Sequence, residues 1–103
     1  MKRGNLKDYE ADLTERLKDV EFAAEYLNAA LEESDKGSDE RFLIALGHVA
    51  KAYGMTSIAK KSGMARQAMY RALSEVGNPE LTTLRALLNA MGLRLAVERK
   101  KAS

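Results

Sequence analysis

The sequence contains no cysteine and a single histidine, and these absences exclude several kinds of chemistry. Without cysteine the chain can form no disulfide, no thiolate metal site and no cysteine nucleophile. His48 has no cluster of carboxylates near it in the sequence, so it makes a poor metal ligand or catalytic base. A phosphate-binding glycine loop is missing as well. We therefore expect neither an enzyme nor a protein that needs a metal or another cofactor.

Long apolar runs are also absent, and proline occurs only once. No run approaches the roughly 18–20 residues that a membrane-spanning helix needs. After the first six residues the chain becomes polar and acidic, where a signal peptide would need an apolar stretch. We expect a cytoplasmic protein with no membrane partner. A length of 103 residues, with 46% hydrophobic and 31% charged residues, fits one globular domain over residues 1–103.

Charge divides the sequence into two unlike halves. Residues 1–50 carry 7 basic and 12 acidic side chains, whereas residues 51–103 carry 10 basic and 3 acidic ones. The plain interpretation is chance, because patchy charge is common in helical proteins. The sharper interpretation is two surfaces with two partners: a basic half suits a polyanion, and an acidic half suits a basic molecule.

Apolar periodicity predicts an all-α fold of five to six helices followed by one short β-strand. The expected regions are N-terminal helices at 12–53, a helix pair with a following helix at 54–92, and the strand at 93–98. The individual helices are expected at 12–18, 20–33, 38–53, two short segments separated by residues 62–64, and 80–91.

Capping residues and one core face add detail to this prediction. Asp19 and Ser38 are the expected N-caps of the second and third helices, and Gly54 ends the third. The turn at residues 77–79, Gly-Asn-Pro, separates the helix pair from the last helix. The third helix has an expected core face whose residues follow one another at spacings of four, three and four. They are Phe42, Leu46, Val49 and Tyr53.

The helix at 20–33 is apolar around most of its circumference, which is wider than one packing contact needs. Its polar stripe consists of Glu21, Glu25, Asn28 and Glu32. Two interpretations follow: the helix is buried centrally in the domain, or its apolar face receives a partner. In the second case Glu21, Glu25, Glu32 and Glu33 would steer a basic partner.

Residues 55–75 carry the pattern of a helix-turn-helix. This motif joins two short helices at a fixed angle, with a glycine at the bend and a small residue where the helices cross. Gly63 fits the bend and Ala59 fits the crossing. The expected inner face of the second helix is apolar and consists of Met64, Ala68, Met69, Ala72, Leu73 and Val76.

The remaining polar residues of the motif predict contacts with double-stranded DNA. The expected base-reading residues, which lie on the outer face of the second helix, are Arg66, Gln67, Tyr70 and Arg71. The expected phosphate contacts are Thr56, Ser57, Lys60, Lys61 and Asn78. No acidic residue lies between Lys51 and Ser74, where it would repel phosphate. The alternative is an ordinary helix pair with a solvated basic face.

The C-terminal pattern predicts a strand that lacks a partner within the chain. Leu93, Leu95 and Val97 alternate with other residues at a period of two. A lone strand leaves its backbone donors and acceptors unpaired, and a second copy of the chain would pair them. We therefore expect these residues, with the helix before them, to form a homodimer contact. The alternatives are a frayed extension or a pairing with the N-terminal segment.

Several of these stretches together resemble one known family. They are Gly54-Met55, residues 58–64 (Ile-Ala-Lys-Lys-Ser-Gly-Met), Arg66, Tyr70, residues 72–74 (Ala-Leu-Ser), residues 77–79 (Gly-Asn-Pro), residues 26–32 (Tyr-Leu-Asn-Ala-Ala-Leu-Glu) and residues 88–95. Over about residues 12–97 the chain resembles the HigA-like addiction-module antidotes. These are antitoxins with a Xre-type, lambda-repressor-like helix-turn-helix.

The resemblance implies a dimeric antitoxin that binds its operator DNA, represses its own operon and neutralises a RelE/HigB-like ribonuclease toxin. Such toxins are typically basic, which agrees with the acidic N-terminal half. In one departure, Ala65 stands where the family usually has a serine that caps the recognition helix. Losing such a cap costs about 0.5–2 kcal/mol. Two other functions stay open: a stand-alone Xre-type transcriptional regulator, and a helical protein-interaction module that binds no DNA.

Overall fold

The computed structural model describes residues 6–32, 36–74 and 77–101, and within these ranges the regular structure is entirely helical. Six helices follow one another along the chain: α1 (Leu6–Arg16), α2 (Val20–Glu32), α3 (Ser38–Tyr53), α4 (Met55–Ser62), α5 (Arg66–Ala72) and α6 (Leu81–Ala90). The predicted all-α architecture of five to six helices is confirmed for this part of the chain.

Helix α1 is longer than the sequence pattern predicted, because it begins at Leu6 instead of residue 12. Leu13 is half-buried and Leu17 is buried, whereas Leu6 and Tyr9 extend the same stripe towards the N-terminus but stay exposed. Their exposure explains why the pattern looked like scattered apolar residues. Asp19 caps α2 as predicted, since its side-chain oxygen accepts the Glu21 N–H at 3.0 Å.

Helix α3 is the central element of the N-terminal half, and α1 and α2 both pack against it. It ends at Gly54, as predicted. The predicted cap was wrong: Gly37 is the N-cap and Ser38 is the first helical residue, because the Arg41 N–H already bonds to the Gly37 carbonyl. The predicted core face is buried at three positions, but Tyr53 at the end of the helix is 38% exposed.

The core lies where α3, α4, α5 and α6 meet. The largest completely buried side chains come one from each of these helices and are Leu46, Ile58, Met69 and Leu87. Gly54 joins α3 to α4 with a φ of +116°, which favours glycine, and the two helices bend by 98° at this point. The bend allows α4 to pack against α3 and α6 at the same time.

The predicted β-strand at residues 93–98 is wrong for the single chain, because residues 93–101 form no regular structure. A strand requires a second strand to pair with its backbone, and the described ranges contain none. Leu93 instead packs against the core, and its N–H donates to the Leu88 carbonyl at 2.8 Å. The following residues pass beside α2, with an open cavity of about 210 Å³ between them.

In the described part of the chain, no single helix is both long and apolar enough to cross a membrane. Among the helices of the described ranges, α3 and α4 reach that length and composition together, but as a pair bent by 98°.

Gly77 provides a test of the close packing after α5. A β-carbon at Gly77 would lie 2.7 Å from the Arg71 carbonyl oxygen and 2.9 Å from that of Ala72, so the backbone would have to move. We expect Gly77→Ala to lower the free energy of unfolding by about 1–3 kcal/mol in urea denaturation.

Gly47→Ala is the matched control for this substitution. Gly47 lies within α3, and the atom nearest to a β-carbon added there is the Leu73 carbonyl oxygen at 3.8 Å. This distance is an ordinary van der Waals contact. Alanine should therefore raise the free energy of unfolding by about 0.5–1 kcal/mol through its better helix propensity. Equal stability of the two variants would contradict the packing described for Gly77.

Candidate functional site

The connection between α4 and α5 is a short turn at residues 63–65. Gly63 has φ +74° and ψ +10°, a left-handed conformation, and its N–H donates to the Ala59 carbonyl to end α4. The Ser62 hydroxyl accepts the Met64 N–H at 3.2 Å, and this bond restrains the backbone at Met64. A β-carbon at Gly63 would meet nothing within 4 Å, so the turn requires glycine for its backbone conformation and not for space.

Helix α5 begins without a side-chain cap. Ala65 occupies the N-cap with an extended backbone, and no side-chain hydrogen bond forms there. The Ala65 carbonyl accepts the Met69 N–H at 3.1 Å, which starts the helical hydrogen bonding. Ala65, the residue that departs from the pattern of the family that the sequence resembles, therefore occupies the capping position itself.

The apolar face of α5 points inward, as predicted. Met69 is completely buried, and Ala59 of α4 is half-buried against the same core. The other half-buried residues of this face are Met64, Ala68, Ala72 and Leu73. Val76, which was assigned to the same face, lies outside the described residues. Buried contacts on this side fix the rotation of α5 and therefore determine which of its residues reach solvent.

The opposite face of α5 carries the side chains assigned to base reading, and all of them are exposed: Arg66, Gln67, Tyr70 and Arg71. Tyr70 is 55% exposed, although a tyrosine ring usually seeks partial burial. The Arg66 guanidinium donates to the Tyr70 hydroxyl at 3.4 Å, one helical turn away. The result is an exposed surface of hydrogen-bonding groups that contains no carboxylate.

The residues assigned to phosphate contact are exposed as well, but they do not share one location. Thr56, Ser57, Lys60 and Lys61 all belong to α4. Asn78 instead lines an open groove with Asp39 and Glu40 at the start of α3. Two carboxylates make that groove a poor place for a phosphate, so the geometry separates Asn78 from the α4 residues.

Tyr53 is a candidate that the sequence pattern did not identify. The Lys61 ammonium donates to the Tyr53 hydroxyl and lies 5.0 Å from the centre of its ring. Such a cation–aromatic contact favours one position of the flexible lysine side chain. The only signal in the sequence is that Tyr53 directly precedes Gly54, where α3 ends and a large ring can leave the core face.

The remaining assigned residues lie away from α5. Leu93, assigned to a dimer contact, packs against the core of its own chain, whereas Leu95 is exposed and Val97 is 100% exposed. The four residues of the α2 polar stripe are all exposed, as predicted, and Glu33 lies outside the described residues. Within the ranges that the structure describes, no three histidine or carboxylate side chains are grouped to hold a metal ion.

Comparison with known proteins shows similarity to one described family and to a protein of Haemophilus influenzae. The family described as "Probable addiction module antidote protein" matches residues 7–99. An uncharacterized protein of Haemophilus influenzae strain Rd is 36% identical over 96 residues, which cover 93% of this chain and 94% of that protein. No solved structure matches the chain.

The left-handed turn at Gly63 provides a prediction about the α4–α5 connection. We expect Gly63→Ala to lower the free energy of unfolding by about 1–2 kcal/mol, since a β-carbon is disfavoured in this conformation. Gly63→Asn should cost less, because asparagine enters the left-handed region more readily. Urea denaturation followed by circular dichroism measures both values. If alanine is tolerated better than asparagine, the turn does not have the described conformation.

Proposed function

We propose that this chain, which belongs to the family of probable addiction module antidote proteins, is an antitoxin. In this proposal it binds DNA and represses its own operon. In this proposal α4 and α5 form a lambda-repressor-like helix-turn-helix of the Xre type. The single observation that carries the DNA-binding part is the exposed face of α5, which is rich in hydrogen-bonding groups and free of carboxylates.

Helix α5 is the proposed recognition helix. In this class of motif the second helix lies in the major groove and its outward side chains meet the edges of the bases. Arg66 and Arg71 match the O6 and N7 acceptors of guanine, and Gln67 matches N6 and N7 of adenine. Tyr70 adds a hydroxyl and holds the Arg66 guanidinium through their hydrogen bond, which reduces the freedom lost on binding.

Helix α4 is the proposed phosphate-binding element. Thr56 and Ser57 lie in its first turn, and Lys60 and Lys61 lie in its last. Contacts of this kind fix the register on the duplex without reading its sequence. Tyr53 would hold the Lys61 ammonium at the protein surface, where it can meet a phosphate. Asn78 is left out of this set because of its acidic surroundings.

A second copy of the chain is the proposed partner of the C-terminal segment. No backbone–backbone hydrogen bond joins residues 94–101 to the rest of the described chain, so these groups are available for pairing. Leu95 and Val97 are both exposed, and in an extended strand they would share one side. A homodimer would present two copies of α5 to the two half-sites of a palindromic operator.

The toxin is the third proposed partner. An antidote acts on a toxin, and the resemblance to HigA-like antitoxins points to a basic, RelE/HigB-like ribonuclease in the cytoplasm. The described residues 6–32 carry eight acidic and three basic side chains, which favours association with a basic protein. Repression of the operon would then depend on how much of the antitoxin is bound by toxin.

The roles of α4 and α5 predict two different effects on DNA binding. Arg66→Ala should reduce discrimination at one base position and cost about 1–3 kcal/mol on the preferred sequence. Lys61→Ala should weaken binding to all duplexes alike and lower the slope of affinity against salt by about one. Fluorescence anisotropy with duplex DNA from upstream of the gene, over a range of salt concentrations, measures both effects.

Lys36→Ala is the control for these variants, because Lys36 is an exposed lysine in the acidic half. Its affinity for DNA should equal that of the unchanged chain. Equal and small effects of Arg66→Ala and Lys61→Ala would contradict the assigned roles. A chain that binds no duplex even at low salt would instead be a protein-interaction module.

The proposed dimer contact predicts a change of mass. A chain that ends after Gly92 should be monomeric in multi-angle light scattering, since the segment that pairs with the second copy is gone. Val97→Asp should have the same effect at constant length, because this side chain is 100% exposed in the single chain and its substitution leaves the core intact. A dimer mass that persists in both variants would exclude this segment as the dimer contact.

A further inference from the structure

An apolar groove runs between α2 and α3 on the surface of the acidic half. It is lined by Tyr26, Ala29 and Ala30 of α2 and by Arg41, Ile44 and Ala45 of α3, and its open volume is about 360 Å³. The three alanines leave a hollow, because their side chains are too short to fill the space between the helix axes. Ile44 lies at its edge and is 39% exposed. The groove is therefore shaped to receive side chains from another molecule.

Tyr26 is held in place at one end of this groove. Its hydroxyl shares a hydrogen bond of 2.8 Å with Nδ1 of His48, and its ring stacks on Phe22 with 6.4 Å between ring centres. Burial, with a smaller contribution from Tyr9, raises the pKa of Tyr26 above its ordinary value. A tyrosine that is already fixed loses little conformational entropy on binding, which suits an anchor residue of an interface.

Acidic side chains border the groove on the α2 side. Glu25 precedes Ala29 by four residues and Glu32 follows it by three, so both are its neighbours on the helix surface. Both are exposed, and neither takes part in the ion pairs found among the described residues, which include those of Asp12 and Glu15. The opposite edge carries Arg41 of α3. A segment with apolar residues in the groove and cations towards α2 would match this distribution of charge.

The groove and helix α5 lie on different sides of α3. Arg41 and Ala45, one turn apart, both line the groove. Gly47 follows Ala45 by two residues and is therefore about 200° further around the helix. On that side a β-carbon at Gly47 would lie 3.8 Å from the Leu73 carbonyl oxygen, just beyond α5. A partner in the groove would therefore leave the exposed face of α5 open to DNA.

We propose that the α2–α3 groove is the docking site of the toxin, and that it receives a basic amphipathic segment of that protein. The apolar side chains of this segment fill the hollow beside Tyr26 and Ile44, and its cations meet Glu25 and Glu32. This inference rests on the proposed antitoxin function. It adds that toxin and DNA occupy separate surfaces of one chain and can be bound at the same time.

The test uses the full-length chain and the protein encoded next to its gene, in a catalytically inactive form, with affinity measured by isothermal titration calorimetry. Ala29→Arg fills the groove and places a cation where the partner's cations approach. We expect it to weaken binding at least tenfold. Ala11→Arg is the matched control: it makes the same substitution at an exposed position of another acidic helix, α1. Its affinity should stay within about twofold of the unchanged chain.

Charge neutralisation provides a second measurement. Glu25→Gln with Glu32→Gln should slow association and reduce its dependence on salt, since exposed charges at an interface act mainly on the rate of encounter. All variants should bind duplex DNA as the unchanged chain does, which also shows that they are folded.

The outcomes separate this inference from the function on which it rests. If the unchanged chain binds the neighbouring protein and Ala29→Arg binds it as tightly as Ala11→Arg, the groove is not the docking site, although the antitoxin function stands. If the unchanged chain does not bind that protein, this inference and the toxin-neutralising part of the proposed function fail together, whereas DNA binding by α5 is decided by its own measurement. If Ala29→Arg instead turns a dimer into a monomer in light scattering, the groove is a contact between copies of this chain, which also overturns the proposal.

Discussion

The arrangement of α3, α4, α5 and α6 around four completely buried side chains is the constraint on which the rest of the molecule depends. Each helix contributes one of them: Leu46, Ile58, Met69 and Leu87. A close-packed core tolerates little displacement, so each of these residues fixes the rotation of its helix. For α5 the consequence is direct. With Met69 inside, the polar residues of the same seven-residue helix must face outward.

Two glycines make this core possible by allowing sharp changes of direction between short helices. Gly54 and Gly63 both have positive φ, and neither position is crowded by neighbouring atoms. Their role is therefore conformational: each lets a helix end with a bend that residues with a side chain adopt only at a cost. Because α4 has only eight residues, it depends on these bends and on its neighbours more than on its own helix propensity.

The α2–α3 groove, bordered by Glu25 and Glu32, and the carboxylate-free face of α5 lie on different sides of α3. The stretch from Lys51 to Ser74 has no carboxylate, whereas residues 1–50 carry 12 of the 15 acidic side chains. Such a separation suits the proposed binding of both a nucleic acid and a basic protein, since each partner would be repelled by the surface that attracts the other. Helix α3, which contacts α1, α2 and α4, connects the two surfaces.

The sequence alone determined the features that depend on nearby residues. The six helices, the Asp19 cap, the glycine that ends α3 and the inward face of α5 all follow from local hydrogen bonding and a 3.6-residue period. Only the tertiary structure decided features that depend on distant residues. Tyr53 leaves the core face to meet Lys61, Asn78 lies beside Asp39 and Glu40, and residues 93–98 pass along α2 without pairing. Their positions are set by how helices pack and by which backbone groups find a partner, and neither is encoded in the spacing of residues along one helix.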